Sequence, residues 1–223
     1  AISDSRISIG DPLLHDITES MTVDIASWQH LTEIGIEDIA LIFPDSPSFG
    51  HHLEQGYNGI YLTGVRNSWI RNISVLNADS GILTYNSANV SISNIHFEGN
   101  RRAHYSVHIG NVHNVLVKDL IISNPTIHSL SLNTQSTRSV FLRAHVLIWD
   151  GSGASYWQPG HGRYNTTWNL KVNVKNGADT NETVRLLGTA EGPDARIVGI
   201  SGNRHFIVDY HPIPYMELIN EIP

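Results

Sequence analysis

An all-β solenoid, with coils of about 22–25 residues stacked one on the next, is the fold class this sequence predicts. Three observations lead there. A pattern of apolar, any, Asn or Asp, apolar recurs at Ile36-Glu37-Asp38-Ile39, Ile70-Arg71-Asn72-Ile73, Ile92-Ser93-Asn94-Ile95 and Val117-Lys118-Asp119-Leu120. It continues in decayed form at Leu142-Arg143-Ala144-His145, so after one longer interval the copies recur every ~22–25 residues. A second burst follows each first one: Gly59-Ile60-Tyr61-Leu62, Gly81-Ile82-Leu83-Thr84, Ser106-Val107-His108-Ile109 and Ser129-Leu130-Ser131-Leu132. The apolar residues alternate at period two and are mostly Ile and Val, which excludes the leucine-rich alternative with its helix in each unit. Repeats of this size are stacked supersecondary units.

Each element follows from that pattern. Residues 1–30 carry little of it, and Asp24-Ile25-Ala26-Ser27-Trp28 reads as a strand or a short capping turn. The first interval is long because an excursion holding His51-His52-Leu53-Glu54 interrupts it. The coils then run with Asn, Ser and Gly between the bursts, residues that tolerate left-handed backbone or satisfy backbone groups at bends. One coil per repeat with two or three short strands is a parallel β-helix, its inward Ile, Val and Leu forming ladders along the axis. After Gly151 the chain becomes rich in Gly, Trp and Tyr, and strands resume at Trp168–Val174, Thr183–Leu187 and Arg196–Ile200. The organisation expected is one solenoid domain over residues 1–223, regular over 31–148 and less so over 149–223. With no cap evident at either end, the chain reads as a piece of a longer protein.

Composition narrows the function classes. The net charge is −7 and only 16% of residues are charged, so no basic stripe exists to displace counterions from nucleic acid. No apolar run approaches the ~20 residues of a membrane-spanning helix. Cysteine is absent, so stability must come from packing and hydrogen-bond ladders. Sequons at Asn72, Asn89, Asn165 and Asn181 are candidate glycosylation sites.

The candidate chemistry lies just before the second bursts. Stacked in register, Asn58, Asp79, His104 and His128 form one column with neighbours roughly 4.8 Å apart. A carboxylate beside two imidazoles is a workable acid/base set, Asp79 fixing the tautomer, and the same trio suits a divalent metal. A plain stack of solvated polar bends is the competing reading. The His51–Glu54 excursion offers further ligands or acid/base groups, or a solvated loop. Arg101 and Arg102 are suited to clamping a carboxylate or sulfate, or form a surface pair. Trp149, Tyr156, Trp157 and His161 supply faces for pyranose rings, or a cap for the solenoid.

The stretches "GYNGIYLTGVRNSWIRNISVLNADSGI" (56–82) and "EGPDARIVGISGNRHFIVDY" (191–210) resemble a group of secreted proteins within the pectate-lyase-like superfamily of right-handed parallel β-helices. The resemblance spans roughly residues 34–210. It implies a right-handed coil, an extracellular setting and a polysaccharide partner. Lyases of this superfamily gather several carboxylates around calcium, and its hydrolases need clustered aspartates; here only Asp79 and Asp150 can be paired. Of the enzyme readings, β-elimination on an acidic glycan fits best, with a divalent cation such as calcium compatible with it. His104 or His128 would be the base, with Asp79 as its orienter. Arg101 or Arg102 would neutralise the uronate carboxylate, and Tyr105 would be the acid. The alternatives are a structural β-helix that associates end to end into a fibre or sheath, and a noncatalytic glycan-binding module.

Overall fold

The computed structural model describes residues 2, 3, 6–10, 17, 19, 22–47, 50, 52–133 and 136–149. It describes six later strands at 157–158, 166–174, 183–188, 196–202, 205–210 and 217–219 as well, chiefly through their backbone. Apart from a small antiparallel pair at Ile2–Ser3 and Arg6–Ile7, every described pairing is parallel, and no described residue is helical. The chain winds as a right-handed parallel β-helix.

Two strands recur in each central coil. The longer ones, Gly35–Ile42, Val65–Leu76, Ala88–Glu98, His113–Ile122 and Val140–Trp149, pair in succession, and Thr166–Val174, Arg196–Gly202 and Glu217–Ile219 extend the ladder. The shorter ones, Asn58–Thr63, Ser80–Tyr85, Ala103–Gly110 and Thr126–Asn133, form a second ladder joined by Trp157–Gln158. The later strands thus include the three segments the alternation marks out beyond Gly151.

Period-two alternation aims the apolar residues inward, and coil register stacks them. Ile36, Ile70, Ile92, Val117 and Phe141 make one ladder; Ile39, Ile73, Ile95, Leu120 and Ala144 make another. From the shorter strands come Ile60, Ile82, Val107 and Leu130. Beyond the first coil these side chains are buried, each large one worth roughly 1.5–3 kcal/mol relative to exposure.

The longer strands bend where the residue before the second apolar position turns left-handed. Asp38, Asn72, Asn94, Asp119 and Arg143 have φ of 56, 56, 55, 57 and 55°. A second such column runs through Glu33, Asn67, Asn89, Asn114 and Arg138, at 49–58°. Asn and Asp tolerate this region better than other side chains. They also knit the coils together. Asn72 Nδ2 donates to Asp38 Oδ1 at 2.9 Å, Asn94 Nδ2 to Asn72 Oδ1 at 2.8 Å, and Arg143 closes the series with two bonds to Asp119. In the other column Asn89 donates to Asn67 and Asn114 to Asn89.

Two expectations are corrected. The fifth repeat is Phe141-Leu142-Arg143-Ala144, not Leu142–His145, because Val117 pairs with Phe141, one position earlier than expected. Arg143 therefore occupies the left-handed position that Asn or Asp holds in the other coils. Residues 24–28 form no strand; 22–30 run exposed and without regular structure.

Candidate functional site

Strand pairing decides which residues share a column. Ser80 pairs with both Asn58 and Tyr105, and Tyr105 with His128. Asp79 donates its N–H to the Tyr57 carbonyl, and His104 donates its own to the Asp79 carbonyl, each at 2.7 Å. The predicted single column Asn58–Asp79–His104–His128 is thus two adjacent columns. One runs Tyr57, Asp79, His104; the other runs Asn58, Ser80, Tyr105, His128. The expected column mixes residues one position apart, because the residues flanking the shorter strands carry no repeating pattern that would fix their register.

Asp79 does not orient an imidazole. Its Oδ1 accepts from Arg101 Nε at 2.8 Å, and its Oδ2 accepts the backbone N–H groups of Gly56 and Tyr57 at 2.9 and 2.8 Å. Arg101, almost wholly buried, also bonds Ser46 and lies over the Tyr57 ring, 4.8 Å from its centroid. This corrects the expectation that Arg101 clamps a substrate: its charge is spent inside the protein. Phe43 stacks on Tyr57 at 5.8 Å. Asp79 and Arg101 therefore tie Ser46, Gly56 and Tyr57, near the two ends of the excursion behind the long first interval, onto the coil edge, so that the excursion forms a strap.

The strap delivers Glu54. Its Oε1 lies 3.1 Å from His104 Nδ1 and accepts the His52 N–H at the same distance, while the His52 ring meets His104 edge-on at 5.1 Å. A carboxylate only accepts, so a proton sits on His104 Nδ1, and in the neutral form of the ring Nε2 is then the basic nitrogen. Tyr105 stacks on His104 with centroids 4.1 Å apart. His128 stands 5.6 Å from Tyr105 and 5.7 Å from His104. The structure brings together His104, His128 and Tyr105 of the predicted set, and replaces Asp79 by Glu54. His104 is 8% exposed, whereas Tyr105 is only half-buried and presents the cluster to solvent.

The cluster continues along the same strand. His108 packs 4.7 Å from Tyr105 and 5.1 Å from Tyr85, and its Nδ1 shares a 2.8 Å hydrogen bond with Ser131 Oγ. Burial, aided by His104 and His128, lowers the His108 pKa to about 4, so the ring is neutral at neutral pH. Burial, with Tyr85 and Glu54 adding to it, raises the Tyr105 pKa and keeps its hydroxyl protonated. His108 was missed by the sequence reading although the alternation Val107–His108–Ile109 aims it outward. That alternation was the signal.

The remaining candidates are more scattered. Asn58 is exposed two coils from Tyr105, and Arg102 is half-buried two residues from His104. Trp149 and Trp157 are placed through their backbones alone; His51, Tyr156, His161, Asn165 and Asn181 lie outside the described residues. Asn72 and Asn89 are rungs of the asparagine ladders, which accounts for Asn at both without a glycan. Among the described residues no three imidazole or carboxylate groups converge as metal ligands.

Comparison with known proteins agrees on the class. Residues 47–159, half of the chain, match the family described as right handed beta helix region, and the chain belongs to it. No curated protein matches the sequence. Among solved structures the chain is similar to the endo-xylogalacturonan hydrolase of Aspergillus tubingensis, at 13% identity and a TM-score of 0.26 over 72% of this chain. It spans 63% of that enzyme's chain.

Proposed function

We propose that this β-helix is a carbohydrate-active enzyme cleaving an acidic polysaccharide by β-elimination, with His104 and Tyr105 as its reacting pair. The observation that carries the reading is the His104 ring, bonded through Nδ1 to Glu54 and stacked on Tyr105. Neutral His104 takes the proton α to a uronate carboxylate through Nε2. The C–H electron pair becomes the new C=C bond, the C–O bond to the leaving sugar breaks, and Tyr105 gives its proton to that oxygen. Glu54 stabilises the imidazolium formed, and Arg102 meets the uronate carboxylate. His128 flanks the pair and helps hold it. Hydrolysis is less well supported: it needs two carboxyl groups about the scissile bond, and among the described residues Glu54 is the one carboxylate at the cluster. Such a glycan is met outside the cell, so the reading carries an extracellular setting with it.

Incubation with a panel of uronic-acid polysaccharides, read by ultraviolet absorbance of the unsaturated product, tests this. Wild type should generate absorbance that is lost in His104→Ala and in Tyr105→Phe. New reducing ends without absorbance would replace elimination by hydrolysis, and no product from any substrate would remove the enzyme reading.

One observation favours a second reading, end-to-end self-association. Among the described residues Gly35–Ile42 pairs only with Val65–Leu76, and its Ile39 and Ile42 are exposed. A strand with one open edge and apolar side chains is a template for another strand. Sedimentation velocity on wild type and Ile42→Lys separates the cases: self-association that the lysine abolishes supports it, and a monomer at every concentration excludes it.

A further inference from the structure

We propose that Tyr61 and Tyr85 form a sugar-stacking subsite leading into the His104–Tyr105 cluster, so that a glycan chain lies along the solenoid axis. The identity of the ligand as a glycan rests on the reading above; the subsite itself stands on separate residues. In Asn58–Thr63 the side chains of Ile60 and Leu62 enter the core, which turns Tyr61 outward, and it is 57% exposed. Strand register places it over Leu83 and then His108 in the next two coils. Tyr85 also faces outward, and its ring lies 5.8 Å from Tyr61 at 73° and 5.1 Å from His108. From His108 the path reaches Tyr105 in 4.7 Å. Aromatic rings thus step from an exposed platform to the reacting pair, coil by coil.

The chemistry of the path selects the ligand. A solvent-facing tyrosine offers a flat apolar face with a polar tip, which suits the C–H face and hydroxyl rim of a pyranose. Coils rise by roughly 4.8 Å, close to the advance of a linked sugar residue, so successive sugars meet successive coils. The same path carries a polar atom in want of a partner. His108 Nε2, on the ring that lies between Tyr85 and Tyr105, is buried and has no hydrogen-bond partner. A sugar hydroxyl drawn into the path supplies what this atom lacks. A purely apolar partner would leave it unsatisfied, which is costly for a buried polar group.

Affinity electrophoresis through gels containing polygalacturonate or alginate tests the subsite on wild type, Tyr61→Ala and Tyr61→Trp. Tyr61 is exposed, so thermal melting should be unchanged in both variants. The alanine variant should bind roughly tenfold more weakly, the loss of one aromatic stack, and the tryptophan variant should recover or exceed wild-type retention. Where turnover is found, Tyr61→Ala should raise KM and leave kcat unchanged. Retention lost in Tyr61→Ala by a protein that makes no unsaturated product would keep the subsite and sink the elimination reading alone. Equal retention of the alanine variant, no retardation of wild type in either gel, or a change in sedimentation in place of retention would each overturn the subsite. The last would assign Tyr61 to contact between copies.

Discussion

The same coils build the longer-strand and the shorter-strand ladders, but the two repeat to different degrees. Along the longer strands each position keeps its chemistry: Ile70 over Ile92, Ile73 over Ile95, Asn72 over Asn94. Along the outer side of the shorter strands the chemistry changes at every coil. Tyr57 is followed by Asp79 and His104, and Tyr61 by Leu83, His108 and Ser131. In the first ladder a residue gains by matching the one above it, because identical side chains pack and share hydrogen bonds in register. In the second each coil has its own role. Asp79 anchors the strap, His104 and Tyr105 face it, and Tyr61 lies open. Repetition marks where the solenoid is held together, and its loss marks the face that carries the candidate site.

Substitutions can break that contrast. The largest effect is expected on the irregular side, in activity: His104→Ala should lower the elimination rate by about 10²–10⁴-fold while leaving the melting temperature near that of wild type. Ile92→Ala, buried in the regular ladder, should do the reverse, losing about 2–5 kcal/mol in denaturant titration. A large stability loss in His104→Ala would show that the irregular face is structural after all.

Asp79 belongs to both descriptions, and sharpens them. Asp79→Ala leaves the Arg101 charge buried without its partner and should cost about 3–5 kcal/mol by chemical denaturation. The double variant Asp79→Leu/Arg101→Met should be less damaged than the single, since no charge is stranded. Additive losses would mean that the pair contributes through packing alone.

Acidity separates the ladders more gently. The folded-state pKa of His108 lies near 4, below its ordinary value of 6.5, so between these values the unfolded chain binds the extra proton. Its contribution is intact above pH 6.5 and is lost as pH falls toward 4. From pH 7 to pH 5 stability should drop by about 2 kcal/mol from this group. His108→Gln should flatten that slope in denaturation curves measured across the range; an unchanged slope would assign it to other groups.

The smallest effect concerns the ladders of amides. Asn94→Ala places a Cβ-bearing residue with no amide at φ 55° and removes a bond to Asn72, for about 1–2 kcal/mol. Asn94→Gly should recover part of that, because glycine adopts the same backbone without strain. Equal losses in the two would mean that the amide bond, not the backbone, dominates.

These contrasts explain what could be read in advance. The inward ladders were legible because alternation at period two and a coil of about 22–25 residues are carried by local side chains. The fifth repeat is displaced by one position in the sequence pattern because Arg143 stands at the left-handed bend where the coils before it have Asn or Asp, which moves the apparent repeat to Leu142. The site was half legible. His104, His128 and Tyr105 announce acid/base chemistry by residue type, and the long first interval pointed to the strap with His52 and Glu54. Their partners were not legible, because a one-residue difference at the corner puts His128 in the neighbouring column, and the Asp79 carboxylate, although in line with His104, bonds Arg101 and the strap backbone instead.

The sequence by itself determined that the chain is a parallel β-helix, which face of each strand enters the core, and which coils carry histidine and tyrosine. Those properties depend on neighbours one to four residues away and on a repeat that every coil restates. The tertiary structure alone decided that Glu54, on the strap and far from His104 along the chain, is the carboxylate bonded to it, and that Asp79 with Arg101 holds the strap there. Such pairings depend on how a unique loop folds back over the coils, and no repeat restates them.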